Sequence, residues 1–285
     1  MAQSLCRIKA RIRSIENTRK ITSAMEMVSV AKLNRILDAQ SAAAPYAQKL
    51  EEVFANALGS HSRARHPLLD ARVAVRRVGL CVVTSDNGLC GAYNMTIIRA
   101  AEDFIRQRAA TPAHVLAVGK KGAKYFKKNW PAVTGQCWSG FNGRYAPHVI
   151  DEISGRLREL FLTEAVDEMY VLSGAFGTGI TYTTRLVKLF PISPQRRSPR
   201  EYLFEPDPEK IFAKAIGWYV QVKVRSLILE ALRVEHSARS VAMKTATDNA
   251  RELLVRLMLQ RNKIRQATIT QEIIEIISSA EALKG

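Results

Sequence analysis

From Ile211 onward, the chain places an apolar residue at most of the positions reached by alternating steps of four and three, and no proline follows Pro208. A repeat of 3.5 residues is typical of a helix with a narrow apolar stripe, which pairs with a second helix in a coiled coil. At 1.5 Å per residue this helix would be on the order of 110 Å long. The stripe is polar at His236 and Arg239, which we interpret as a hydrogen-bonded layer that fixes the helix register. The apolar members of the predicted stripe include Ala215, Trp218, Val222, Leu229, Leu232, Met243, Ala246, Ala250, Leu253, Leu257, Ile264 and Ile274.

The N-terminal segment supplies a possible partner helix. Residues 4–58 contain no glycine, and Pro45 is their one proline. Ser4 is a suitable N-cap, and Pro45 predicts a kink or a short break. The apolar residues with a helical period are Leu5, Ile8, Ile12, Ile15, Ile21, Met25, Val28, Leu33 and Ile36. Residues 1–59 and 207–285 are therefore predicted to form an antiparallel coiled coil.

The middle of the chain has a different pattern, in which short apolar runs alternate with helical segments. Such alternation predicts an α/β layered domain with a largely parallel sheet. The predicted fold class is α/β: a long antiparallel coiled coil of the terminal helices with a Rossmann-like α/β domain inserted over 73–206. The predicted strands are 77–84, 114–118 and 169–172 with an edge strand over 185–190, and the predicted helices are 94–108, 122–128 and 147–162.

The sequence lacks the motifs of an enzyme site. The turn at 84–94 contains two glycines before a helix, but it matches neither of the common phosphate-binding fingerprints. The run 119–122 (Gly-Lys-Lys-Gly) is interpreted as a basic turn. The histidines are scattered, and the four cysteines contain no CxxC pair, so a catalytic constellation, a zinc site or a disulfide framework is not expected. We expect no catalytic residue, no metal and no cofactor.

The net charge of +17 predicts an acidic partner. Nucleic acid, an anionic membrane surface and an acidic protein all satisfy this condition. Basic residues of the N-terminal helix could contact DNA, but apolar residues are interleaved through the basic cluster, unlike the basic region of a zipper protein. The residues alone leave nucleic acid and an acidic protein ring as equal alternatives. No run of eighteen apolar residues is present, so no transmembrane span is expected.

Several segments resemble one known family. Residues 17–28 with Ala31–Leu33, and residues 235–250 and 262–273, are similar to signature segments of the gamma subunit of F-type ATP synthases. The turn at 84–94 and the run 201–208 also fit. The resemblance covers nearly the whole chain, and its motifs occur in the family order.

This resemblance implies a rotor shaft without catalytic residues. In the family, the paired terminal helices stand inside a ring of alpha and beta subunits. The α/β domain contacts the epsilon subunit and the membrane c-subunit ring. Rotation driven by ion flow carries each beta subunit through states of different nucleotide affinity, which is a population shift by differential contact. The implied location is peripheral, on the cytoplasmic face of a bacterial inner membrane.

The resemblance also implies contact residues. Arg265 and Gln266 match positions that form hydrogen bonds or ion pairs with a catch loop of the ring. Met25, with Lys20 and Lys32 nearby, matches the segment facing an acidic loop of beta. The rotor-ring contacts correspond to Tyr202 and Glu205.

Two other functions remain as alternatives at this point. A basic coiled-coil nucleic-acid-binding protein would explain the charge, and an α/β enzyme with a coiled-coil arm would explain the central domain.

Overall fold

The computed structural model describes residues 2–60, 66–108, 111–177, 182–193 and 208–282. The chain divides into two compact units: residues 1–29 with 240–285, and residues 30–239. The first helix, α1 (Ala2–Ser60), and the last, α5 (Pro208–Ala282), contribute to both units. The two long terminal helices and the α/β class predicted from the sequence are confirmed.

The larger unit contains a five-stranded sheet. Its strands are β1 (Val78–Val83), β2 (Ala113–Val118), β3 (Thr134–Trp138), β4 (Glu168–Phe176) and β5 (Tyr182–Phe190). They lie in the order β3-β2-β1-β4-β5, with β5 antiparallel to β4 and the other pairs parallel. The intervening helices are α2 (Tyr93–Gln107), α3 (Lys120–Asn129) and α4 (Pro147–Leu162).

Both faces of the sheet are covered, which explains why its central strands read as continuous apolar runs. On one face, Leu80 and Val82 of β1 pack with α2 and with Phe126 of α3. On the other face, Cys81 and Val83 pack with α4 and with parts of α1 and α5. Successive residues of β1 thus point into different cores, as the pleat requires.

Some local predictions were wrong. Strand β3 was missed because its sequence, Thr-Gly-Gln-Cys-Trp, has little apolar content and lies at the edge of the sheet. The helix α1 continues through Pro45 without a break. The helix α3 begins at Lys120 rather than after a basic turn, because Gly119 and the Asp86 carboxylate organise its first residue.

In the smaller unit the predicted stripe is correct at Met243, Ala250 and Leu257, which are buried, but the seam positions between them lie one residue further along the chain than predicted. On α5 the buried positions after Met243 include Thr247 and Leu254, whereas the prediction had Ala246 and Leu253. The predicted and observed sets of seam positions share every seventh residue. The pattern of apolar residues alone therefore distinguishes these two registers poorly. The hydroxyl of Thr247 decides between them because it lies 2.8 Å from the hydroxyl of Thr22 on α1.

The same displacement occurs on α1. Thr22 and Ser29 are buried, while Ile21 and Val28, which the prediction placed in the stripe, are exposed. The Ser29 hydroxyl donates to the Met25 carbonyl at 2.8 Å, so its burial leaves no unsatisfied donor. Trp218, a predicted stripe position in the larger unit, is also exposed. There α5 packs on the sheet as well as on α1, and a wider buried face replaces the narrow stripe.

Candidate functional site

The carboxyl edge of the parallel sheet is organised by Asp86, which follows β1. Its Oδ1 accepts a hydrogen bond from the Lys120 amide at 2.9 Å, at the first turn of α3. Its Oδ2 accepts from the amides of Gly140 and Asn142, at 3.1 and 2.7 Å, in the loop after β3. One buried carboxylate therefore fixes two neighbouring connections, which is the role that an Asp side chain often has in turns.

The close approach of these connections requires glycine at one position. Gly119 has φ +96°, and a Cβ there would run into the carbonyl of Thr84. Thr84 donates its hydroxyl to the Val118 carbonyl at 3.0 Å and accepts from the Gly122 amide at 2.9 Å. The close packing of the backbone thus explains why position 119 is a glycine and what the Thr84 hydroxyl bonds.

Helix α5 brings three polar side chains against this edge: Glu235, His236 and Arg239, all buried. With Asp86 they form what we call the polar cluster. Arg239 Nη2 lies 2.8 Å from Glu235 Oε1. Its guanidinium also donates from Nε to the Gly88 carbonyl at 3.2 Å and from Nη2 to the Asn87 carbonyl at 3.1 Å.

The imidazole of His236 has a defined proton arrangement. Its Nε2 lies 2.8 Å from the carbonyl of Gly143, which can only accept, so Nε2 carries the proton. Its Nδ1 lies 3.2 Å from Arg239 Nη1, which can only donate, so Nδ1 presents its lone pair. Both contacts are satisfied together by one neutral tautomer. Gly143 has φ +64°, and a Cβ there would collide with the imidazole.

Burial and neighbouring charges shift the pKa values in this cluster. Burial, together with the charges of Arg239 and Lys32, lowers the pKa of His236 to about 4. Burial also raises the pKa of Glu235, an effect that the nearby Arg239 opposes. The pKa of Lys32 is lowered by burial and by the cations Arg239 and Arg144. The imidazole is therefore neutral near pH 7, in agreement with its hydrogen bonds.

A basic groove opens at the same edge. The exposed side chains of Lys120, Lys121 and Lys124 line a space of about 570 Å³ together with Asn87 and Asn142. Positive charge is thus concentrated at this groove, and an acidic partner would complement it.

The predicted contact residues occupy different places in the structure. Lys20, Arg265 and Gln266 are exposed on the long helices of the smaller unit, and Met25 is half-buried there. Lys32 belongs to the larger unit, where its ammonium donates to the Asn142 carbonyl at 2.6 Å. Tyr202 and Glu205 lie outside the described residues.

The smaller unit exposes many large apolar side chains. On α1 these include Ile21 (60% exposed) and Met27 (65%). The last part of α5 also exposes several isoleucines. They are Ile269, Ile273, Ile274, Ile276 and Ile277.

Sequence reasoning missed most of the polar cluster. A locally hydrogen-bonded polar layer at His236 and Arg239 was expected, but the attachment of these side chains to the loops after β1 and β3 was not. Hydrophobic periodicity identifies a polar interruption in a stripe, yet it gives no information on which distant loop satisfies it. The available signal was the coincidence of Glu235, His236 and Arg239 within one turn, since buried charges of this kind are normally paired.

Among the residues described, none of the helices combines the length and apolarity needed to cross a membrane. The same residues contain no group of His, Cys, Asp and Glu side chains suited to hold a metal ion.

A family model described as ATP synthase matches residues 4–283 of the chain. The ATP synthase gamma chain of Geobacter metallireducens is 40% identical, with 99% of each chain covered. That of Solibacter usitatus is 37% identical, with 98% of this chain and 99% of the relative covered.

Solved structures show the same fold. A chain of the Euglena gracilis mitochondrial ATP synthase (OSCP/F1/c-ring, rotational state 3) matches with a TM-score of 0.71 and 16% identity, over 99% of this chain and 95% of that one. A chain of the Tetrahymena thermophila mitochondrial ATP synthase central stalk/c-ring matches with a TM-score of 0.62 and 22% identity, over 79% and 99%.

An α/β unit that follows one long helix in the chain and precedes another, where both helices expose large apolar side chains, defines a class of proteins built for assembly with partners. Within that class, the chain belongs to the ATP synthase gamma chain family.

Proposed function

We propose that the chain is the central-stalk rotor shaft of an F-type ATP synthase, which couples ion flow through the membrane sector to ATP synthesis in the beta subunits. The observation that carries the proposal is the 40% identity to an ATP synthase gamma chain over 99% of both chains. The partners are the alpha and beta subunits, the epsilon subunit and the membrane c-subunit ring. The shaft itself is non-catalytic and is held peripherally, at the cytoplasmic face of a bacterial inner membrane.

The surface of the smaller unit supports a partner that surrounds the helices. Exposed apolar residues occur on both helices, and large exposed apolar patches usually mark interaction sites. Burying one such side chain contributes roughly 1.5–3 kcal/mol. Apolar contact has no preferred direction, so it permits one surface to turn past another with small barriers.

The proposed contacts with the alpha–beta ring are Arg265, Gln266, Met25, Lys20 and Lys32. Exposure of Arg265, Gln266 and Lys20 leaves these three side chains accessible to a partner. For Lys32 the contact requires that its ammonium keep or exchange the bond to Asn142. Contacts of Tyr202 and Glu205 with the c-subunit ring complete the proposal.

The comparisons give no support to the alternative of a nucleic-acid-binding coiled coil. A basic groove at the sheet edge and a net charge of +17 fit an acidic protein surface equally well.

Reconstitution tests the proposal. The purified chain is mixed with alpha and beta subunits, and the complex is isolated and assayed for ATP hydrolysis. We expect a stoichiometric complex whose ATPase activity depends on the added chain. Limited proteolysis supplies a second readout: cleavage within residues 267–282 should be fast in the free chain and slow in the complex. Failure to assemble, or equal cleavage in both states, would refute the assignment.

A further inference from the structure

The attachment of α5 to the sheet edge depends on an arginine that is directed by its neighbour. The Arg239 guanidinium donates hydrogen bonds to the carbonyls of Asn87 and Gly88 and to His236 Nδ1. It also forms an ion pair with Glu235. In turn, His236 is held by the Gly143 carbonyl. The loop after β1, the loop after β3 and helix α5 therefore meet at two side chains.

We propose that His236 is a positioning residue of the rotor. Its neutral Nε2–H tautomer directs Arg239 onto the Asn87 and Gly88 carbonyls, and α5 thereby moves as one body with the carboxyl edge of the sheet. This inference rests on the proposed function as a shaft. It concerns a joint inside the shaft that is formed by buried side chains.

The geometry explains why the neutral ring is required. A proton on Nδ1 would place two donors, Nδ1–H and Arg239 Nη1–H, face to face at 3.2 Å. The charges that act on the ring are those of Arg239 on α5 and Lys32 on α1. Beyond them, Glu235 on α5 and Asp86 after β1 influence each other, and Arg144 after β3 acts on Lys32. Both of the charges that act on the ring are cations, so a positive charge on the ring is disfavoured from two elements, α5 and α1.

Glutamine offers a matched substitution. Its side-chain amide carries one N–H donor group and one carbonyl acceptor, as the neutral imidazole does, but it does not titrate. His236→Gln can therefore donate to Gly143 and accept from Arg239 at any pH. Leucine has a similar size and can do neither. His148 is exposed on α4, and His148→Leu serves as the control for loss of a histidine.

The first measurement is nitrogen NMR of the imidazole in the full chain. We expect the neutral Nε2–H tautomer for His236 at pH 7. The pKa of His236 in the folded chain, about 4, lies below its ordinary value of 6.5. Between pH 4 and pH 6.5 the unfolded chain therefore binds more protons than the folded chain. Stability should consequently fall as the pH falls from about 6.5 to about 4. An Nδ1–H tautomer, or a ring protonated at pH 6.5, would overturn the proposal.

The second measurement uses the whole complex in inverted membrane vesicles, where ATP hydrolysis and ATP-driven ion pumping are recorded together. A hydrogen bond to a charged group lowers the population of the conformation in which that bond is broken by about tenfold or more. We therefore expect His236→Leu to assemble and hydrolyse ATP but to pump fewer ions per ATP, whereas His236→Gln and His148→Leu should pump like the parent. In the free chain, hydrogen exchange over 84–94 should rise about tenfold or more in His236→Leu and fall back to the parent rate in His236→Gln.

The outcomes separate the two proposals. If the parent chain does not assemble with alpha and beta subunits, the rotor function fails. If the parent assembles, and His236→Leu both pumps and exchanges like the parent, the rotor function stands and the joint at His236 is refuted. If His236→Gln is as impaired as His236→Leu, hydrogen-bond matching is not the cause and the proposal is also refuted.

Discussion

Replacement of Arg239 by methionine should be among the most destabilising single changes in the larger unit. The guanidinium and the Glu235 carboxylate are 7% and 3% exposed and 2.8 Å apart. Methionine retains much of the side-chain volume but leaves the carboxylate buried without its partner. Removing one member of a buried ion pair costs about 3–5 kcal/mol. The carbonyls of Asn87 and Gly88 also lose their donors.

The assay is urea unfolding of the full chain, followed by the fluorescence of its three tryptophans, of which Trp138 is buried next to the loop that Asp86 holds. We expect the free energy of unfolding to fall by about 3–5 kcal/mol in Arg239→Met. The double variant Glu235→Gln with Arg239→Met carries no unpaired charge and should recover on the order of 2 kcal/mol.

An exposed ion pair provides the control. Arg256 and Glu252 are 78% and 72% exposed and 3.8 Å apart, so Arg256→Met should change the free energy of unfolding by no more than about 0.5 kcal/mol. If Arg239→Met and Arg256→Met have equal effects, or if the double variant is no more stable than Arg239→Met, the cluster is not held by the buried pair and the reasoning is wrong.

Three further predictions concern the smaller unit. Thr22→Val should lower the free energy of unfolding, measured with heat or urea, by about 1 kcal/mol because it removes one hydroxyl from a buried pair. Adding Thr247→Val should not double this decrease, since no unpaired hydroxyl then remains. Met25→Lys should lower ion pumping per ATP in the reconstituted complex through attraction to an acidic loop, while Met25→Leu should leave it unchanged; equal impairment by both would exclude charge as the cause. Replacing Arg265 and Gln266 together by alanine should lower ATP turnover without preventing assembly, and unchanged turnover would argue against a contact with the ring.

The sequence predicted the elements whose pattern is strong and local. The helix α2 (Tyr93–Gln107) and the strand β2 (Ala113–Val118) were placed within a residue or so. The helix has one apolar face that packs in a single core, and the strand is a short apolar run between the two cores. Strand β3 was missed because an edge strand needs less apolar surface. The sequence predicted a kink or a short break at Pro45. The break does not occur, because the helix is supported on both sides of the proline by packed residues such as Ile36 and Phe54.

The proposed contact residues could be named only through the family resemblance. Arg265, Gln266 and Lys20 are exposed charged or polar side chains, and no pattern in one sequence separates such residues from ordinary solvated ones. Non-local contacts have the same limitation. Arg239 and Asn87 are far apart in the chain, and only the fold brings the guanidinium to that carbonyl.

The residues for which the predicted stripe was wrong bear directly on the proposed function. Ile21 and Val28 were assigned to the seam because they are apolar, yet the seam is occupied by Thr22 and Ser29, and the two apolar residues face outward. A pair of helices that had only to hold each other would be expected to bury the larger apolar side chains. Here the seam accepts a hydroxyl pair, Thr22 with Thr247, whose hydrogen bond is directional and specifies the register. The apolar side chains remain available outside, where non-directional contact suits a surface that must move past its partner.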